Sequence, residues 1–250
     1  MKIAFTSCAS RNLIKTQPIW DDILASQPDH VVLLGDNLYL DVPDFSMAQL
    51  QAMGTWEFSE HLFVRYQQQI TEQKFRHLVA APNITLHAIW DDHDFAWNDA
   101  MGARLLADPN QAEKVKISIN FMRTFRRALA NKDLGSFPQR PDAPEFWADW
   151  DSPAFTPLGK TSIQLEPDGR AWLHLTDGRT FRKKKRHDGR SAATAVELRL
   201  CKPSRCFAYY RQRRGLQSGR LLGKLQPRSP MASERNSEQT LAHAQWRFAR

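Results

Sequence analysis

Side chains of the types that bind metal ions follow three apolar stretches of the sequence. Cys8 comes after the first stretch, Asp36 after the second, and the run 91–94, Asp-Asp-His-Asp, after the third. Each stretch is short and apolar, which predicts a buried strand. Because the carboxyl ends of the strands of an open α/β sheet face one crevice, we expect these side chains to meet there.

Carboxylates, a thiol and an imidazole in one crevice would repel one another or lose their solvation unless cations lay among them. Two divalent or trivalent metal ions would remove that conflict. They would also supply what cleavage of a phosphate ester requires, namely charge neutralisation, an activated water, and a clamp on the attacking and leaving oxygens.

Each of these residues also has a simpler interpretation. Asp36 alone is equally well explained as a turn former, and Cys8 alone is more often an inert buried thiol. The run 91–94 is different, because three acids and a histidine directly after an apolar strand are costly unless they coordinate a ligand.

The apolar periodicity of the chain predicts the elements that position these loops in one α/β core. Helices are predicted at 20–25, 56–78, 99–106 and 113–129. Strands are predicted at 2–6, 30–34, 84–90, 161–165 and 171–176, and the last two flank a Pro-Asp-Gly turn.

The charge of the chain changes sign near residue 182. Residues 1–181 hold 17 Lys and Arg against 23 Asp and Glu, a balance of −6, whereas residues 182–250 hold 18 against 4, a balance of +14. The basic segment shows no convincing periodicity, which predicts a largely irregular tail. An alternative function is non-specific binding of nucleic acid or an anionic surface by this tail.

In that alternative, basic side chains at 183–190 and 211–214 would neutralise phosphates, and Phe207, Tyr209 and Tyr210 would stack on bases. The basic residues are scattered among Ser, Pro and Ala and match no recognisable nucleic-acid module, which argues against it.

The composition also bears on the cellular location of the chain. No apolar run approaches the length of a membrane span, and the N-terminus lacks the apolar region of a signal peptide. Three cysteines do not form a disulfide framework. We therefore expect a cytoplasmic protein with no membrane contact.

Three motifs taken together resemble the PhoD-like alkaline phosphatases, a family of metallophosphoesterases. They are Ser-Cys after the first strand, Leu-Gly-Asp-Asn-x-Tyr after the second, and Trp-Asp-Asp-His-Asp with Asn-Asp close behind. The resemblance covers about residues 3–182. It implies a four-layer α/β/β/α sandwich, incomplete in this chain, that hydrolyses phosphate mono- or diesters with two or more metal ions, iron(III) with calcium or other divalent metals.

The resemblance also implies a role for each matching residue. The implied metal ligands are Cys8, Asp36, Tyr39, Tyr66, Asp91 and Asp92. Only one of the two tyrosines would serve, and either of the two neighbouring aspartates would bind the second ion. His93 would lie beside the substrate phosphate and protonate the leaving group or stabilise charge, and Asp92 is a further catalytic candidate. The residues expected around the metal ions or against the substrate are Asn37, Asn98, Asp99, Arg179 and Arg182.

The family also has a Ser-Gly-Asp-x-His motif and a further histidine, neither of which appears in this chain. Read one nucleotide later, the codons of residues 244–250 permit Leu-Ser-Gly-Asp-Ser-His. We therefore interpret residues 183–250 as the product of a frameshift at the A-rich codons of the lysine run 183–185. The gene's nucleotides test this, and a shifted frame without Gly-Asp-x-His would exclude it. Without those ligands, weak or no activity is expected.

Overall fold

The computed structural model describes residues 1–148, 157–180 and 182, together with the backbone of two strands, Ala195–Leu200 and Phe207–Arg211. The basic side chains proposed as an alternative nucleic-acid contact lie outside these residues, as do the side chains of the three aromatic residues proposed to stack on bases.

The described residues form seven α-helices, one 3₁₀ turn and seven strands. The helices are α1 Ile19–Ala25, α2 Met47–Ala52, α3 Thr55–Ile70, α4 Gln73–Ala80, α5 Asp92–Phe95, α6 Gly102–Leu105 and α7 Pro109–Ala130, with the 3₁₀ turn at Leu134–Ser136. The strands are β1 Ile3–Thr6, β2 His30–Leu33, β3 Thr85–Ala88, β4 Lys160–Gln164, β5 Ala171–Thr176, β6 Ala195–Leu200 and β7 Phe207–Arg211.

The first three strands form a parallel sheet in the order β1-β2-β3, in which Val32 pairs with Phe5 on one side and His87 on the other. Val31, Val32 and Leu33 are almost completely buried, as expected for a parallel sheet covered on both faces. The three predicted strands and the α/β class are confirmed. Since the strands are parallel, the loops after them leave the sheet at the same edge.

The remaining strands form an antiparallel sheet in the order β4-β5-β6-β7. The hairpin β4–β5 was predicted. Strands β6 and β7 lie in the segment predicted to be a largely irregular tail, so that prediction is wrong for their residues. The alternation of apolar and polar residues from Val196 to Leu200 was the available signal.

The predicted helix at 56–78 consists of two helices. Helix α3 ends at Ile70, and Glu72 begins α4 by accepting a hydrogen bond from the backbone N–H of Phe75 at 2.6 Å. Helix α2 was not predicted, although Ser46 and Gln49 form the reciprocal bonds of a capping box at its start. Local caps therefore divide a segment whose apolar spacing looked continuous.

Helices α3 and α7 pack against each other, and α7 packs against β3. Between the helices the ring of Tyr66 lies against Phe121, Phe125 and Phe137, with centroid separations of 5.4 to 5.5 Å. The Tyr66 hydroxyl is buried and has no hydrogen-bond partner among the described residues. Of the described helices, none has both the length and the apolar character to cross a membrane.

A histidine pair joins β2 and β3. The rings of His30 and His87 are stacked with centroids 5.4 Å apart, and His30 Nδ1 lies 3.2 Å from His87 Nε2. Nε2 of His30 lies 3.3 Å from the backbone oxygen of Leu165, which follows β4. Burial, the charge of His30 and the charge of Arg126 lower the pKa of His87 to about 4, and burial lowers the pKa of His30 despite the nearby charge of Asp29.

This pair predicts a loss of stability in mild acid. Well above pH 6.5 both rings are neutral in the folded and in the unfolded chain, so their titration does not change the free energy of unfolding. Below that pH the unfolded chain binds a proton that folded His87 does not accept until about pH 4. We expect a loss of about 2 kcal/mol between these values. Urea unfolding gives the free energy of unfolding at pH 7 and at pH 4.5, and this value should fall less for His87→Gln than for the native chain. An equal fall in both proteins would show that His87 is not the source of the acid sensitivity.

Candidate metal centre

The turns after β1 and β2 adopt backbone conformations that are uncommon outside glycine. Cys8 and Asp36 have φ of 58° and 52°, and Gly35 between the strand and Asp36 has φ of 105°. A Cβ atom on Gly35 would lie 2.5 Å from the backbone nitrogen of Asp91. Because Gly35 has no side chain, the loop after β2 can contact the start of the loop after β3 at Asp91. The left-handed turns determine the directions of the Cys8 and Asp36 side chains, the two candidate ligands.

Three side chains, one from the loop after β2 and two from α5, form a group with metal-binding spacing. One ligand atom each from Asp36, Asp92 and His93 lie within 4.8 Å of one another. Oδ1 of Asp36 is buried and has no hydrogen-bond partner among the described residues, and Oδ2 lies 3.5 Å from the sulfur of Cys8. A buried carboxylate oxygen without a donor fits a cation, and carboxylate with imidazole suits several divalent and trivalent metals.

Neighbouring acids raise the pKa of Asp36 and of the Cys8 thiol. Burial and the charges of Asp91 and Asp92 raise the pKa of Asp36 to about 6, although His93 acts in the opposite direction. Cys8 is an exposed residue, but burial of its thiol and the charge of Asp36 raise its pKa to about 11. Because each anion raises the cost of its neighbour, a bound cation would stabilise all of them together.

His93 is held by Asp41, which was not among the predicted residues. Nδ1 of His93 donates to Oδ1 of Asp41 at 2.6 Å, and Oδ2 of Asp41 accepts from the backbone N–H of Asn98 at 2.8 Å. Burial lowers the pKa of His93, but the bond to Asp41 and the charge of Asp36 outweigh it and raise the pKa overall. The bond occupies Nδ1 and leaves Nε2 for a ligand or substrate.

Tyr39, and not Tyr66, belongs to this site. The centroid of the Tyr39 ring lies 4.1 Å from that of the His93 ring, and burial with the nearby charges of Asp36 and Cys8 raises the pKa of the Tyr39 hydroxyl. Tyr66 lies in the aromatic core between α3 and α7, with its ring enclosed by three phenylalanines. The two tyrosines were equal candidates in the sequence, and the packing of α3 assigns the second one to the core.

Asp91 is paired with an arginine. Nε and Nη2 of Arg179 donate to Oδ1 of Asp91, and Nη2 lies 3.4 Å from Oδ1 of Asp92. Both Asp91 and Arg179 are buried. Of the two aspartates predicted as alternatives, Asp92 therefore joins the three-residue group and Asp91 joins an ion pair. Burial raises the pKa of Asp91, although the charges of Arg179 and of Arg182, the second predicted arginine, act in the opposite direction.

Asp94 and Asn37 connect the second and third loops. Oδ1 of Asp94 accepts from the backbone N–H groups of Asn37 and Leu38 at 2.7 and 3.0 Å, and Oδ2 accepts from that of Asp91 at 3.0 Å. Burial raises the pKa of Asp94, while these backbone bonds act against the rise. The Asn37 amide donates to the carbonyl of Ile89 at 3.1 Å. Asn37 thus supports the site without facing it.

The predicted residues Asn98 and Asp99 act through their backbone. The N–H of Asp99 donates to Oδ2 of Asp92 at 2.7 Å, as that of Asn98 does to Asp41. Asp99 has φ of 65°, a left-handed conformation. The loop after α5 therefore holds the carboxylates of two site residues in fixed orientations.

Arg179 is positioned by the loop after β5. Asp177 accepts from the Trp90 indole at 2.9 Å and from the backbone N–H groups of Arg179 and Thr180 at 3.1 and 3.0 Å. Gly102 donates its N–H to the carbonyl of Arg179 at 3.0 Å, and a Cβ atom there would lie 1.9 Å from the Thr180 oxygen. The close approach of this loop to α6 holds the backbone of Arg179 in place.

Comparison of the chain with protein-family models, curated proteins and solved structures found no match.

Proposed function

We propose that this chain is a metal-dependent phosphate-ester hydrolase of the PhoD-like type, acting on phosphate monoesters or diesters. The observation that supports the proposal is the close approach of two acids, Asp36 and Asp92, with His93 beside them and an unpaired buried oxygen on Asp36, beyond the carboxyl ends of the parallel strands. The three loops that bear the sequence motifs converge there, as expected for a ligand site in an open α/β sheet.

Asp36 and Asp92 would hold the cation, with the Cys8 sulfur and the Tyr39 hydroxyl close to Asp36. Hard carboxylate oxygens with a thiolate and a phenolate suit iron(III), and carboxylates alone suit calcium or another divalent ion. A bound cation would neutralise the acids, polarise the phosphoryl group and lower the pKa of an attacking water.

The remaining chemistry belongs to the His93–Asp41 pair. The Asp41 carboxylate accepts a hydrogen bond from Nδ1 of His93, which fixes the orientation of the imidazole and favours its charged form. Nε2 of His93 would then donate a proton to the leaving-group oxygen of the ester. The Tyr39 ring packs against the imidazole and restricts its rotation.

Hydrolysis of p-nitrophenyl phosphate and bis-p-nitrophenyl phosphate tests the proposal. We expect release of p-nitrophenol that requires an added metal ion, supplied as iron, calcium or Mn²⁺, and that a chelator removes. The rate is expected to be low, since the family's Gly-Asp-x-His motif does not occur in the chain. A purified chain that binds none of these metals and hydrolyses neither ester would overturn the proposal.

A further inference from the structure

Two kinds of positive charge could neutralise the acids beyond the parallel sheet. One is a bound metal ion, and the other is an arginine of the chain itself, Arg179. The group of Asp36, Asp92 and His93 has the spacing for one metal ion. A few ångströms away, the Arg179 guanidinium lies between Asp91 and Asp92. In two-metal phosphoesterases the ions lie about 3.5–4 Å apart and share acidic ligands.

We infer that the centre binds a single metal ion and that the Arg179 guanidinium occupies the position, and supplies the charge, of a second one. The inference rests on the proposed function. The sequence motifs imply two or more ions, whereas the inference gives one. The number is lower because the Arg179 guanidinium is already paired with Asp91.

The hydrogen bonds of Asp91 and Asp92 support the binding of one metal ion and not two. Asp91 directs Oδ1 to the guanidinium, and Asp92 has Oδ1 at 3.4 Å from Arg179 Nη2 and Oδ2 bonded to the backbone N–H of Asp99. A second ion would have to take Asp91 from Arg179. Within the part of the chain that the structure describes, one group of three metal-binding side chains is present, and Asp91 is not in it.

The loop that carries Arg179 is held by neighbouring segments. Arg179 is buried, and its loop is held by Asp177 and by the close contact between Gly102 and Thr180. An arginine stays charged at any pH at which the protein folds. A metal ion near Asp91 would therefore meet a fixed like charge as well as an occupied carboxylate.

Mn²⁺ titration tests the inference without relying on catalysis. The native chain is expected to bind one Mn²⁺, measured by equilibrium dialysis and elemental analysis, with the electron paramagnetic resonance spectrum of an isolated ion. Arg179→Gln removes the charge and releases Asp91, so a second Mn²⁺ is expected, with spectral broadening from coupling between the two ions. Arg179→Lys keeps the charge and is expected to bind one.

Adding Asp91→Asn to Arg179→Gln should return the count from two ions to one. Two tightly bound Mn²⁺ ions in the native chain would overturn the inference, as would one ion in an Arg179→Gln variant whose circular dichroism and melting show that it is folded. If that variant does not fold, the count in the native chain and in Arg179→Lys decides. A native chain that binds no Mn²⁺ would overturn the proposed function, and the inference with it.

Discussion

Replacing Asp36 with Asn is expected to weaken Mn²⁺ binding by about 100-fold or more and to remove metal-dependent ester hydrolysis. Asp36 has a buried oxygen without a hydrogen-bond partner and lies within ligand distance of Asp92 and His93. Asn is the matched replacement because it keeps the shape of the side chain and tolerates the left-handed φ of 52° found at this position.

The same substitution is expected to stabilise the metal-free protein. Burial and neighbouring acids raise the pKa of Asp36 from 3.8 to about 6, so above pH 6 the ionised carboxylate destabilises the fold. Protonation on acidification through pH 6 and down to 3.8 would relieve this cost. A neutral Asn should therefore raise the free energy of unfolding of the metal-free chain at pH 7 by about 2 kcal/mol.

Urea unfolding with and without Mn²⁺ measures both effects, and their opposite signs separate a metal ligand from a structural residue. The control is Asp142→Asn, because Asp142 is an exposed acid in a surface ion pair with Arg140. This substitution should change neither the affinity for Mn²⁺ nor the free energy of unfolding appreciably. An Asp36→Asn variant that binds Mn²⁺ as tightly as the native chain, or that is less stable than it without metal, would contradict the assignment.

Replacing His93 with Ala is expected to lower ester turnover by about 10²- to 10⁴-fold while leaving the bound Mn²⁺ in place. The imidazole is oriented through Nδ1 by Asp41 and leaves Nε2 for the leaving group. Since Asp36 and Asp92 provide the carboxylates, the loss of this proton donor should act on kcat more than on metal affinity.

Asp41→Asn tests the orienting bond and should reduce kcat by about 10- to 100-fold with a smaller change in KM. The matched control is His77→Ala, an exposed histidine on α4, for which native turnover is expected. Loss of Mn²⁺ from the His93→Ala variant would show instead that this histidine is a metal ligand, and its assignment as the proton donor would then be wrong.

The local pattern of the sequence was sufficient for the elements that support the site. The parallel strands, the hairpin β4–β5 and helices α1 and α7 were predicted within a few residues of their observed bounds. Burial on both faces leaves short apolar runs in the parallel strands, and burial of one face imposes a period of 2 or 3.6 on the other elements. Parallel strands place the loops that follow them at the same edge of the sheet. The convergence of Cys8, Asp36 and the run 91–94 at one edge could therefore be predicted.

Tertiary structure decided which member of each pair of similar residues joins the site. Asp92 rather than Asp91 joins the group with metal-binding spacing because Arg179, 88 residues further along the chain, binds Asp91. Tyr39 rather than Tyr66 reaches Cys8 because α3 turns the other ring into the aromatic core.

Asp41 was missed for the same kind of reason, since its bond to His93 spans 52 residues. Sequence periodicity records which face of an element is buried, and that much the chain determined by itself. The choice between neighbouring side chains depends on charges and packing contributed by distant segments, and no local pattern contains them.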